Sequence, residues 1–282
     1  MSSSVPPLVT VDWLAEHLTT PDVKILDGSW YLPQMGRDAE QEFLEAHVPG
    51  AVFLDLDEIS DNDSPFPHML PTPEKFSCRM KRLGIGDGHH VIVYDGAGLF
   101  SAARFWWMFK TMGHENVSVL DGGLPKWIAA GQKTDAGNSS SSARHHTARP
   151  NNTIRRNIED MKRNLETRRE QVVDARSQGR FAGTDPEPRP ELSSGHMPGS
   201  LSLPFGNLLN EDGTLKARPE LTRIFESAGV DLNQPIVTTC GSGVTAAIPY
   251  LALTVLGHPK IALYDGSWSE WAATDGAPIE KD

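Results

Sequence analysis

Cys240-Gly241-Ser242-Gly243-Val244-Thr245 is the stretch on which the fold turns. The β-branched run Ile236-Val237-Thr238-Thr239 precedes it, and an apolar run from Ala246 to Gly257 follows. The pattern predicts strand, tight loop, helix. Gly241 and Gly243 allow backbone turns closed to other residues. Such a loop points several backbone N–H groups inward, at the mouth of a helix whose N-terminus is electropositive. A cysteine held there is expected to exist partly as thiolate, the nucleophilic form. The stretch by itself admits two readings: a reactive thiolate, or a small thiol packed into a glycine-rich turn.

Working outward, the same grammar occurs twice. Gln171-Val172-Val173-Asp174 repeats the short strand Val23-Lys24-Ile25-Leu26 with its closing Asp27. His196-Met197-Pro198-Gly199-Ser200 repeats His47-Val48-Pro49-Gly50-Ala51. Tyr264-Asp265-Gly266-Ser267 with Trp271 repeats Leu120-Asp121-Gly122-Gly123 with Trp127. The half-chain duplication predicts two similar α/β domains, at 8–133 and 154–282, joined by a linker over 134–153 that is rich in Ser, Gly, Asn and Arg. Strands alternating with helices predict mostly parallel sheets with helices on both faces.

The smaller signals agree. Thr10 reads as an N-cap, and Thr72-Pro73 as N-cap and first helical position. A helix over 157–169 opens the second half, with Ile158, Met161 and Leu165 on one face. Trp106, Trp107, Trp268 and Trp271 read as core. Cys78, shortly before Met80 on an amphipathic helix, reads as packed. Arg176 reads as half of an ion pair at a domain edge, with Asp174. His145-His146, in the linker, receives no role.

Duplication also supplies a control. The first half puts Asp95 where the second puts Cys240. The fold therefore does not require a cysteine at this corner, which favours the reactive reading. One chemistry drops out. Cysteine phosphatases place an arginine six residues after the cysteine to grip phosphate bidentately; here that residue is Ala246, and the loop has no Lys or Arg.

Bulk properties narrow the class further. A formal net charge of −11 disfavours nucleic acid or an anionic membrane as the main partner. Two cysteines in 282 residues make no disulfide framework, and no C-x-x-C pair exists for zinc or redox work. No run of about 18 apolar residues is present, so no membrane span is expected. Met1-Ser-Ser-Ser-Val-Pro-Pro shows no secretory or Arg-rich targeting pattern. The cytosol is the expected compartment, with a mitochondrial form as the alternative.

These motifs resemble the two-domain sulfurtransferases of the rhodanese superfamily. The tandem halves, H-[VM]-P-G in each, C-G-S-G-V-T, and D-G-S-W-x-E-W near the end carry the resemblance, which spans about Thr10 to Trp271. The loop is similar to that of the branch using 3-mercaptopyruvate; the thiosulfate branch carries cations there. The resemblance implies that Cys240 takes the sulfur as a persulfide, releases pyruvate, and passes sulfur to thioredoxin, another thiol or cyanide. No metal or organic cofactor is implied. It also implies a relay of Ser242, His68 (in Ser64-Pro-Phe-Pro-His-Met-Leu-Pro71) and Asp57, and substrate-binding roles for Arg180 and Arg189. A small keto acid needs a cation for its carboxylate, and arginine offers a two-pronged one. The site is expected between the domains, with His68 and Asp57 from the first, and with Gly241, Gly243, Val244 and Thr245 completing the loop. For His68 a surface-loop role, and for Asp57 a helix-cap role, are the plainer alternatives. A thiosulfate:cyanide sulfurtransferase and a persulfide carrier with little turnover are the rival functions.

Overall fold

The structure, a computed structural model, describes residues 5–139 and 141–282. Met1–Ser4, part of the N-terminal reading, and Ser140 of the expected linker lie outside them. The chain divides into two units. One holds the chain up to Asn62 together with Leu70–Asn151 and Leu209–Leu215. The other holds Asp63–Met69, Asn152–Leu208 and Lys216–Asp282.

The first unit is built on five strands: β1 (Leu8–Val9), β2 (Val23–Asp27), β3 (Val52–Phe53), β4 (His90–Tyr94) and β5 (Val117–Leu120). They lie in the order β1-β5-β4-β2-β3, all parallel. The second unit has β6 (Arg155–Arg156), β7 (Gln171–Asp174), β8 (Leu201–Ser202), β9 (Ile236–Thr239) and β10 (Ile261–Tyr264), in the order β6-β10-β9-β7-β8, again all parallel. The two orders are the same, so the duplication read from sequence is a duplication of topology.

The physical reason lies in the central strands. In β4, Val91 to Tyr94 are all buried, and so is every residue of β9. Strands of a parallel sheet covered on both faces carry continuous apolar or β-branched runs rather than alternation. Helices supply the cover. In the first unit Leu14, Phe43 and Trp127 pack with Ile25, Ile92 and Tyr94 in one cluster. In the second, Met161, Trp268 and Trp271 pack with Val237 and Tyr264.

The helix starts fall where the caps predict. Thr10 Oγ1 accepts from the Trp13 N–H at 3.2 Å, and Thr72 Oγ1 from the Lys75 N–H at 3.2 Å with Pro73 at the first position. Asn157 and Asp160 form a reciprocal capping box that opens helix Ile158–Thr167. Trp106 and Trp107 are buried, as read. Cys78 corrects its expectation and is exposed. It lies two residues from both Phe76 and Met80, about 200° around the helix from the buried face. Edge strands β1 and β6 gave no sequence signal. Each has two residues, and Arg155-Arg156 becomes a strand only by pairing with β10.

The segment after 140 is laid on the first unit by its backbone. Arg144 N donates to Lys81 O, Arg149 N to Met112 O and Asn151 N to Thr111 O. Such bonds need no side-chain periodicity, so composition alone shows only a Ser-rich stretch. His146 is a buried anchor there, stacked on His114, and burial pushes its pKa down to about 4. Among the described residues no helix is long and apolar enough to cross a membrane.

Candidate active site

Cys240 follows β9 at the C-terminal end of the second sheet, the end where open α/β sheets bind ligands. Its residue exposure is 2%. The loop then leads into helix Ala247–Leu256. Its two glycines serve different ends. Gly243 has φ +77°, the left-handed region that favours glycine. Gly241 leaves room for Arg180, since a Cβ there would sit 2.9 Å from Arg180 Nη2 and push that guanidinium aside.

The loop is tied down through its carbonyls. Cys240 O accepts from Trp268 N at 3.0 Å, and Gly241 O from Ser269 N at 2.9 Å and Ser269 Oγ at 2.7 Å. Ser267 Oγ accepts from Cys240 N at 3.2 Å. The D-G-S-W motif, quoted only as a signature, is thus the clamp of the Cys240 loop. Among the described residues no protein acceptor takes the N–H of Gly241, Ser242, Val244 or Thr245.

The first unit shows what such a loop is shaped to hold. Asp95 stands directly after β4, and helix Ala102–Thr111 follows at the same spacing as in the second unit. Its carboxylate accepts the N–H groups of Ala97 (2.9 Å), Phe100 (2.7 Å), Ser101 (2.9 Å) and Ala102 (2.8 Å). Here the loop closes around a negative charge belonging to its own side chain. In the second unit a cysteine occupies that corner, so the same backbone is suited to a thiolate or a persulfide anion. A prediction follows for the first unit. Asp95→Asn, which turns an amide toward some of these N–H groups, costs about 3 kcal/mol of stability. Urea unfolding checks this, and an unchanged transition contradicts it.

The neighbouring strands also differ instructively. Asp174 pairs in register with Thr239, one residue before Cys240. It is bound by Arg176, whose Nη2 lies 2.6 Å from Asp174 Oδ2. The expected ion pair of Arg176 with Asp174 is present, and Arg176 is fully buried. Burial by itself would favour loss of its proton, but the carboxylates of Asp174 and Glu187 outweigh it and raise its pKa. The first unit has Ser29 instead, and Asp27 has no arginine in that role. Burial there pushes Asp27 up to about 6, against the lowering effect of its Ser29 hydrogen bonds.

Several expected residues come together in the second unit. His68 Nδ1 lies 2.8 Å from Ser242 Oγ. Although His68 falls in the first half of the sequence, its segment Asp63–Met69 packs as part of the second unit. The surface-loop alternative does not hold, because His68 is 4% exposed. Its φ of +60° is unusual for a non-glycine residue and marks a backbone held in place by its surroundings. Arg180 stands against Gly241. Arg189 Nη1 donates to Ser269 Oγ at 3.4 Å, and that hydroxyl donates to Gly241 O. Both arginines therefore come to Gly241, Arg180 directly and Arg189 through Ser269. Asp57 belongs to the first unit, in helix Leu56–Ile59, and its Oδ2 accepts from Trp30 Nε1 at 3.1 Å. The cap of that helix is Asp55, not Asp57. Sequence reasoning missed Glu187, Ser267 and Ser269.

The family model for the rhodanese-like domain matches residues 10–130 and again 157–274, and the chain belongs to the rhodanese family. Its similarity to known members extends over nearly its whole length. It is 46% identical over 270 residues to human 3-mercaptopyruvate sulfurtransferase, covering 94% of this chain and 91% of that protein. It is 43% identical over 300 residues to thiosulfate/3-mercaptopyruvate sulfurtransferase 1, mitochondrial, of Arabidopsis thaliana, covering 99% and 79%. The crystal structure of SseA from Escherichia coli, a 3-mercaptopyruvate sulfotransferase with the rhodanese fold, superposes with a TM-score of 0.87. That match is 42% identical and covers 94% of this chain and 99% of that one.

Proposed function

We propose that this chain is an enzyme that transfers sulfur from 3-mercaptopyruvate, through a persulfide on Cys240, to a thiol such as thioredoxin or to cyanide. The observation that carries the choice of donor is the 2.8 Å separation of Ser242 Oγ and His68 Nδ1 beside the nucleophile. The Cys240 thiolate attacks the donor sulfur. The C–S bond breaks, its electron pair passes to carbon, and pyruvate leaves as its enolate. The proton that was on the donor sulfur ends on that carbon. A serine hydroxyl relayed to an imidazole is suited to move it. Asp57 is the proposed acidic member of the relay. In the second half-reaction the acceptor takes the outer sulfur and Cys240 returns as thiolate, a double displacement.

Arg180 and Arg189 would receive the donor's carboxylate. Gly241, Gly243, Val244 and Thr245 would cradle the persulfide with their N–H groups. Residues 154–282 are the proposed catalytic domain, 8–133 its counterpart without a nucleophilic cysteine and 134–153 the connector. A reducing compartment, the cytosol by default, suits a nucleophile that must remain a thiol.

A second reading, thiosulfate as the main donor, is favoured by relatives whose names carry that donor: the Arabidopsis protein, named for both donors, and rat thiosulfate sulfurtransferase, 44% identical over 271 residues. The test compares the two at matched concentration. Turnover of mercaptopyruvate should exceed that of thiosulfate, because Cys240 to Thr245 contain no cation for a dianion. A thiosulfate preference contradicts the reading. Persulfide formation without steady-state pyruvate release would make the protein a carrier instead.

A further inference from the structure

Glu187 lies between Pro186 and Pro188, and its side chain is 2% exposed. It ties two guanidinium groups together. Oε1 accepts from Arg176 Nη1 at 2.8 Å. Both oxygens accept from Arg180 Nε at 3.2 Å, and Oε2 also from Arg180 Nη2 at 2.5 Å. Arg176 is held from its other side by Asp174 and lies over the Trp268 ring, 4.2 Å from its centroid. Trp268 in turn donates its backbone N–H to Cys240 O. The cluster thus runs from a buried strand end to the nucleophile loop. Its two carboxylates and two guanidiniums sum to no net charge.

Arg180 is the member that opens outward. Its side chain is 20% exposed, against 0% for Arg176. Its Nη2 stands against Gly241, and its Nη1 makes no hydrogen bond to the described residues. The geometry points to Glu187 as the residue that sets the charge selectivity for the donor. It fixes the Arg180 fork beside Cys240 with Nη1 left for a ligand, and its carboxylate cancels the charge of that fork. Arg180 then offers direction without surplus positive charge, which suits a donor with a single carboxylate. A dianion gains nothing extra from it. The inference rests on the reading above, in which Arg180 receives the donor anion.

The test measures kcat/KM for mercaptopyruvate and for thiosulfate in the wild type, Glu187→Gln and Glu187→Asp. In Glu187→Gln the thiosulfate-to-mercaptopyruvate ratio should rise about tenfold, because one uncancelled positive charge favours the dianion. The rise should shrink with added salt. Glu187→Asp keeps the charge but shortens the reach, so KM should rise for both donors while the ratio stays near wild type. If Glu187→Gln weakens both donors equally, Glu187 is only a packing residue and the inference fails. Should that variant not fold, competitive inhibition of the wild type decides: pyruvate, a monoanion, should inhibit more tightly than sulfate, a dianion, and the reverse order overturns the inference. A wild type inactive on mercaptopyruvate would instead remove the functional reading itself.

Discussion

Cys240→Ser leaves no measurable pyruvate release from mercaptopyruvate, a loss of about 10⁴-fold or more. The size of the effect follows from the chemistry. A serine hydroxyl is far less ionised than a thiol, and oxygen cannot stand in for sulfur as the carrier of a sulfane atom. The cradle should survive the change, because it is held from outside the side chain. The carbonyls of Cys240 and Gly241 are tied to Trp268 N, Ser269 N and Ser269 Oγ, and the Cys240 N–H to Ser267 Oγ. The variant should therefore fold and unfold like the wild type while being inactive. Steady-state pyruvate assay beside thermal unfolding checks both halves. Substantial turnover would contradict the covalent mechanism.

Ser242→Ala and His68→Ala lower mercaptopyruvate turnover about 10²- to 10⁴-fold, the range of a lost general acid–base partner. The readout that separates a proton relay from packing is the second donor. When mercaptopyruvate gives up its sulfur a proton must reach carbon, whereas thiosulfate releases sulfite, a good leaving group that needs none. Thiosulfate turnover in Ser242→Ala should thus fall far less. Equal losses on both donors would reduce the 2.8 Å Ser242–His68 contact to structural support. Ser242→Ala is the cleaner of the two variants, since His68 also holds a left-handed backbone position and alanine there adds strain.

Much of this architecture is legible in the sequence, for an identifiable reason. Parallel strands buried on both faces leave apolar runs such as Val91–Tyr94 and Ile236–Val237, and a duplication repeats every such run with its turn residues. What escapes is whatever depends on partners. Arg155-Arg156 is a strand only because β10 lies beside it. The backbone bonds of 144–151 leave no trace in composition.

At the site, Cys240 is legible because a glycine-rich corner between strand and helix restricts what chemistry fits. Ser242, His68, Asp57 and the arginines came from resemblance. No local pattern says that Asp63–Met69 packs with the second unit, or that Arg180 lies over Gly241. Glu187 escaped because a glutamate between prolines reads as solvated charge; only the fold shows it sealed against two arginines. Ser267 and Ser269 act by holding backbone, a role without side-chain periodicity. The Asp95 comparison worked in the other direction. The sequence offered it as evidence that a cysteine is dispensable, and the structure turned it into a picture of the anion the loop is shaped to hold.

The central claim is that sulfur passes through Cys240. Intact-mass and peptide mass spectrometry of the wild-type chain, after mixing with mercaptopyruvate in the absence of any acceptor, tests it most directly. The account predicts the added mass of one sulfur atom on the peptide carrying Cys240, removed on addition of a thiol or cyanide. No added sulfur under conditions where pyruvate is released, or sulfur found on the exposed Cys78 instead, would contradict it.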